Sequence, residues 1–269
     1  MPIPPEFSNV EAVAISDNNL VVGFTTRVVG TVGGSLRAVV WNPKEDTIKL
    51  LPPAEGDEAC QAQSISSDGN RIAGYSTGPQ RLRPVIWNWN QSDQSWNIVV
   101  LETVMDYNPY LMSSSLQISP DGSKAVGCCT EQILPGDIID SSLYLWQEVD
   151  GKWERSYLNA EQLYIKDINN RGEMVGSVLG RDGRLPCFVS SEGEIRVLEL
   201  LDGDTAGEAR GINEKSHAVG WSDQPHNSDG GPRPCLWTPD GKVTRIVLSE
   251  IPYATVFDIN DSGTIAGML

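Results

Sequence analysis

The side chains best suited to chemistry stand just ahead of an isoleucine that recurs along the chain. Two residues before it come Val13, Gln63, Leu116, Lys166, Arg210 and Phe257; one residue before it come Ala14, Ser64, Gln117, Asp167, Gly211 and Asp258. Half of these positions are apolar, but Lys166, Asp167, Arg210 and Asp258 fall on three successive copies. Lys166 and Arg210 suit an anionic group such as a carboxylate, and Asp167 or Asp258 suits proton transfer. An unpaired ion in a narrow, water-poor space is strongly disfavoured, so the same four residues equally predict a salt-bridged plug. Gln63 and Gln117 occupy the equivalent positions on earlier copies and join the candidate ligand-binding set.

Trp221 and His226 complete that set. Trp221 lies outside the regular tryptophan pattern described below. His226 stands with Asp223 and Asp229 in one Gly-rich loop, a poor metal ligand set without a second contributing segment. No metal and no cofactor is expected. No nucleophile elbow, phosphate-cradling glycine loop or zinc motif occurs, so the catalytic residues stay unassigned.

These residues must be positioned by a repeat. Ile15, Ile65, Ile118, Ile168, Ile212 and Ile259 are each followed by Ser or Asn and closed by Gly23, Gly74, Gly127, Gly176, Gly220 and Gly267. The intervals between isoleucines are 50, 53, 50, 44 and 47 residues, the length of a propeller blade. Asp68-Gly69, Asp121-Gly122 and Arg171-Gly172 mark the turns, since glycine readily takes the positive φ that tight hairpins need. A later strand carries a second signature, Arg37-Ala38-Val39-Val40-Trp41, Arg83-Pro84-Val85-Ile86-Trp87, Ser142-Leu143-Tyr144-Leu145-Trp146 and Arg233-Pro234-Cys235-Leu236-Trp237. A tryptophan at one place in four copies predicts a repeated packing role. Trp89, Trp96, Trp153 and Trp221 fall outside it and are better placed for contact.

Four short strands per copy predict an all-β β-propeller, a single domain over 1–269 with repeats near 11–51, 61–101, 114–158, 164–200, 208–248 and 255–269. Six blades are expected. The last stops after its second strand, so closure falls to the N-terminal segment Pro4 to Asn9, to a short sixth blade, to a five-bladed ring with a loose hairpin, or to another subunit.

The Ile-Ser/Asn-x-x-Gly-x-x-Val/Ala-Gly pattern, the strand ending in Trp and the short glycine turn resemble the HAF-repeat family of bacterial β-propeller-like proteins. Thr31-Val32-Gly33-Gly34 is also similar to that family's Leu-Gly-Gly linker. The His-Ala-Phe triplet is replaced here by Arg-Ala-Val, Arg-Pro-Val and Arg-Pro-Cys. The resemblance covers about Ala12 to Leu269 and implies fold rather than activity.

Acidic side chains outnumber basic ones by 36 to 20, a net charge of -16, which repels phosphate backbones and argues against nucleic acid. Met1 to Phe7 has neither a basic n-region nor an apolar h-region, and no later run approaches a membrane span. A cytoplasmic protein is expected, or a secreted one if a signal was removed. Of five cysteines, Cys187 and Cys235 take the place of Ala38 and Val85 in other copies, which predicts buried, inert thiols.

Long loops after the second and fourth strands gather carboxylates and aromatics on one face, Asp57, Asp106, Asp137, Asp140, Asp223 and Asp229 among them. Loops on a rigid scaffold carry binding residues. The chain therefore reads as a metal-independent binding module for a protein, peptide, glycan or small-molecule ligand through that face, as a monomer, or as a dimer through the incomplete blade. The alternative is an enzyme of lyase, isomerase or cyclase type with a polar site at the central channel.

Overall fold

The computed structural model describes residues 7–27, 36–79, 81–103, 112–131, 140–158, 163–181, 183–224, 231–247 and 254–268. Contacts divide the chain into two compact units, Met1–Asn159 and Ala160–Leu269.

The first unit holds three four-stranded antiparallel sheets, each a meander of consecutive strands. They are β1 (Phe7–Ile15), β2 (Val21–Arg27), β3 (Leu36–Asn42) and β4 (Thr47–Leu50); β5 (Ala59–Ile65), β6 (Arg71–Gly78), β7 (Arg81–Asn90) and β8 (Ser95–Val100); and β9 (Met112–Ile118), β10 (Lys124–Glu131), β11 (Asp140–Val149) and β12 (Lys152–Leu158). The second unit holds two more such sheets and a hairpin. These are β13 (Leu163–Ile168), β14 (Met174–Leu179), β15 (Arg184–Val189) and β16 (Ile195–Val197); β17 (Ala206–Ile212), β18 (Ala218–Asp223), β19 (Arg233–Trp237) and β20 (Val243–Arg245); and β21 (Thr255–Ile259) with β22 (Ile265–Met268). The six Ile-to-Gly hairpins are thus the first two strands of every sheet, as the repeat predicts. Residues 7–9 extend β1 and pair with β2, while residues 4–6 lie outside the described residues. No helix among the described residues is long and apolar enough to cross a membrane.

Within each unit the core lies between successive sheets, so both faces of a second strand such as β6 or β18 are buried. Ile72 joins the cluster shared with the first sheet, whereas Ala73 joins the cluster shared with the third. Ala218 and Val219 divide in the same way between the fourth sheet and the β21–β22 hairpin. Strands covered on both faces read as continuous apolar runs, which is why Ile72-Ala73 and Ala218-Val219 show no alternation. Ala38, Val85, Cys187 and Cys235 are all fully buried. Burial, reinforced by Asp204, pushes the Cys235 thiol up to about 12, so it stays a protonated packing group, as expected.

The turn after each isoleucine has two chemical solutions. In the second and third sheets a serine and an aspartate share it, Ser66 Oγ donating to Asp68 at 2.6 Å and Ser119 Oγ to Asp121 at 2.7 Å. In the second unit one asparagine does the same work: Asn213 Oδ1 accepts the N–H groups of Lys215 and His217, both at 3.0 Å. These are Asx-type bonds that mimic a backbone turn. They explain why Ser or Asn follows every isoleucine.

Trp87, Trp146 and Trp237 are fully buried, and each indole N–H donates to a carbonyl in the linker that enters its sheet: Pro52 at 2.8 Å, Glu102 at 2.8 Å and Glu199 at 2.7 Å. Trp41 departs from the expectation. It is only half-buried, and its Nε1 is enclosed without a hydrogen-bond partner among the described residues.

Trp146→Ala is expected to cost about 3–5 kcal/mol as a large-to-small core change. Trp146→Phe keeps most of the ring but strands the Glu102 carbonyl, at about 1–3 kcal/mol. Urea denaturation of both variants checks this; a Trp146→Phe loss near zero would show that the N–H bond contributes nothing.

Candidate functional site

A local distortion sets the direction of the candidate side chains. Ile165 pairs with Gly176 and Asp167 with Val175, leaving Lys166 as the extra residue of a β-bulge. Arg210 is the extra residue between Ala209 and Gly211, and Val13, Gln63 and Phe257 hold the same place in their sheets. A bulge re-aims a side chain and bends its strand. It also pushes a carbonyl against the facing strand. A Cβ at Gly220 would lie 2.0 Å from the Glu208 carbonyl oxygen, and one at Gly74 would lie 2.1 Å from that of Gln61. Only glycine fits there. The third sheet differs: Leu116 is paired without a bulge at that point and is fully buried.

In the second unit the bulged cations converge on a residue that the repeat did not single out. Glu208, two positions before Arg210 on β17, is 3% exposed. Its Oε1 accepts from Arg210 Nε at 2.9 Å, and its Oε2 meets Arg184 Nη1 at 3.3 Å and Lys166 Nζ at 3.8 Å. Those three cations keep side-chain exposures of 28%, 45% and 34%, so the carboxylate is buried while the positive charge faces outward. Aromatic rings fix two of the guanidinium planes, with Arg184 4.5 Å from the Tyr164 centroid and Arg210 5.4 Å from that of Phe257. Guanidiniums stacked on rings keep their N–H edges available for planar acceptors.

Asp167 and Asp258 accept from backbone N–H groups instead. Asp167 Oδ1 accepts the Ile168 N–H at 2.8 Å and its Oδ2 accepts the Ile212 N–H at 2.9 Å, which ties the fourth sheet to the fifth. Burial first, and the charge of Asp258 second, push its carboxyl from 3.8 up to about 8. Asp258 Oδ1 accepts the Ile259 N–H at 2.7 Å. Gly211 makes room for it, since a Cβ there would lie 2.7 Å from the Asp258 Cα.

The remaining candidates are dispersed. Gln63 and Gln117 belong to the first unit, where Gln63 Oε1 accepts the Leu116 N–H at 2.8 Å and so links the second sheet to the third. Trp221 faces Glu208 in the β17–β18 register and is half-buried. His226, most of its loop, and the loop carboxylates at 106, 137, 140 and 229 lie outside the described residues or side chains. Asp57, a loop carboxylate by sequence, is fully enclosed and holds the Arg83 guanidinium at 2.7 Å and Ser76 Oγ at 2.7 Å. Asp204, Arg233 and Ser222 repeat this clamp in the fifth sheet. The arginine that opens the Trp-bearing strand therefore locks a linker.

No family model matches the chain, and no curated protein matches it in sequence. Solved structures do match. The β-propeller domain of the Trilobed protease from Pyrococcus furiosus has a TM-score of 0.63 at 13% identity over 97% of this chain and 78% of that one. Pyrococcus horikoshii acylaminoacyl peptidase gives 0.62 at 15% over 94% of this chain and 41% of that one. An oligogalacturonate lyase in complex with manganese gives 0.60 at 13% over 93% and 67%. The chain thus spans less than half of the peptidase. Identity this low speaks for architecture alone, and the architecture is an all-β β-propeller.

Two outcomes follow for stability. Glu208→Gln leaves its partly hydrated cations around a neutral group and is expected to cost about 1–3 kcal/mol, the range for losing hydrogen bonds to a charged group, measured by urea denaturation. The raised carboxyl of Asp167 binds its proton more tightly folded than unfolded. Its contribution is therefore complete below about pH 4 and is lost as pH rises toward about 8. Asp258→Asn removes one cause of that shift and should flatten the decline across this window relative to a surface Glu154→Gln control. Parallel curves for the two variants would refute the coupling.

Proposed function

We propose that this propeller is a binding module whose second unit takes an anionic ligand, a carboxylate-bearing small molecule or an acidic peptide, at Lys166, Arg184 and Arg210. The supporting observation is the imbalance around Glu208, three partly exposed cations to one buried carboxylate. On a chain of net charge -16, a local surplus of positive charge is the exception. Interspersed acidic residues elsewhere repel anions and leave this patch as the place of approach. Arg184, the most exposed of the three, presents a planar fork that matches a carboxylate geometrically. The buried Glu208 holds the cations in place before the ligand arrives, which lowers the ordering cost of binding.

A catalytic reading needs a proton carrier. Asp167 has a suitable shift, but both its oxygens are engaged by backbone N–H groups that join two sheets, so it reads as a structural link. Binding is the better-supported function.

Thermal melting with added citrate and with a polyglutamate peptide tests the proposal, because a ligand that binds only the folded state raises the melting temperature. The wild type is expected to gain stability with either probe, and Arg184→Gln to lose that gain while melting normally alone. An equal gain in the variant, or none in the wild type, would overturn it.

A further inference from the structure

We propose that the cleft over Trp89 and Trp96, in the first unit, binds an uncharged oligosaccharide. Trp89 and Trp96 face each other across the β7–β8 pair, with ring centroids 5.2 Å apart and planes tilted by 58°. Trp87, on the same strand, is fully buried, whereas Trp89 and Trp96 are each only half-buried. They border a cleft of about 490 Å³ floored by Leu20 and Val40, within the range of about 300–1,000 Å³ typical of ligand sites. A cross-strand aromatic pair by itself only stabilises a hairpin. The walls of this cleft point further.

Those walls are amide-rich. Asn18, Asn42, Asn70, Gln91 and Gln94 line the cleft; local bonds engage Asn18 Oδ1, Asn42 Oδ1, Asn70 Nδ2 and Gln91 Oε1, and the second N–H or lone pair that an amide keeps beside such a bond suits neighbouring hydroxyls on a pyranose ring. The apolar face of such a ring stacks on an indole. Charge balances over this cleft and the depression beside it, where Lys44, Lys49 and Arg71 stand with Glu45, Asp68 and Glu148 and Arg71 pairs with Glu148 at 2.5 Å, so the site favours a neutral ligand. Lys49 Nζ lies 5.1 Å from the Trp89 centroid and can swing aside or bond a hydroxyl.

A second depression, of about 510 Å³, shares Asn70, Trp89 and Gln91 with the first and continues toward Asn88 and Glu148. Trp89 is thus the common wall of two adjoining hollows, which fits a chain of several sugar rings better than a single one. A proline-rich peptide is the other ligand that tryptophan clefts take. Peptide carbonyls would need the Trp89 indole N–H, which already donates to Gln91 Oε1 at 3.1 Å.

Intrinsic tryptophan fluorescence and isothermal titration with cellohexaose, laminarihexaose, xylohexaose, mannohexaose and maltohexaose test the proposal. Saturable binding of at least one is expected, weakened roughly tenfold in Trp89→Ala, as losing a stacked aromatic contact implies. Gln91→Ala, in an exposed turn, covers the case in which Trp89→Ala does not fold, and should also weaken binding. Arg184→Gln should leave sugar binding untouched, so failure here is distinguishable from failure of the anion site. No saturation with any of the five, affinity unchanged in Gln91→Ala, or saturable binding of a proline-rich peptide instead would overturn it.

Discussion

Much of this structure depends on a carbonyl oxygen occupying the place of a β-carbon. In each bulged hairpin the first strand presses its backbone onto the glycine that closes the repeat, and any side chain there would meet an atom of the main chain that cannot rotate away. Gly176, facing the Tyr164 carbonyl oxygen at 1.9 Å from the position of a Cβ, is of this kind. A glycine inside a strand costs roughly 0.5–1 kcal/mol relative to alanine, and the bulge offsets that by turning one side chain per sheet out of the regular pleat. The closing glycine is therefore fixed by geometry, while the turned-out residue is free to be Val13, Gln63, Lys166, Arg210 or Phe257. Architecture and chemistry are separated within a few residues of each other.

Electrostatics follow from that separation. Lys166 and Arg210 on their bulges, with Arg184 from β15, need a counter-charge, and Glu208 supplies it from the same strand as Arg210. An isolated buried carboxylate would be costly; one ringed by cations is not, and in return it orders them. Asp167 solves a different problem. Its carboxyl stands where the N–H of Ile212 would otherwise lack a partner, the task that Ser64 Oγ performs for Ile118 at 3.3 Å in the first unit.

The strand pairs were legible because their signals are local: an isoleucine, a turn former and a glycine at nearly constant spacing require nothing from distant sequence. Burial of Trp87, Trp146 and Trp237 was legible for the same reason. The departure of Trp41 was not, because an indole N–H depends on an acceptor elsewhere in the chain. Lys166 and Arg210 could be read in register, but Glu208 could not. It stands at a position filled by Glu11, Gln61, Ser114, Tyr164 and Thr255 in other copies, and Glu11 is exposed where Glu208 is buried. Packing between sheets makes that difference. Asp57 misled in the opposite direction, since a carboxylate in a linker looks solvated until the arginine that it clamps is in place.

The three indole bonds of the core run one way along the chain. Trp87, Trp146 and Trp237 each reach back to a carbonyl 35, 44 or 38 residues earlier. On a ribosome, the acceptor has already been made when its tryptophan emerges, so none of these three sheets waits for downstream sequence to satisfy its buried donor. Domains form as units during synthesis at about 5–20 residues per second, and here each new sheet finds the seam to its predecessor already laid down. The direction of translation is written into the hydrogen bonds of the core.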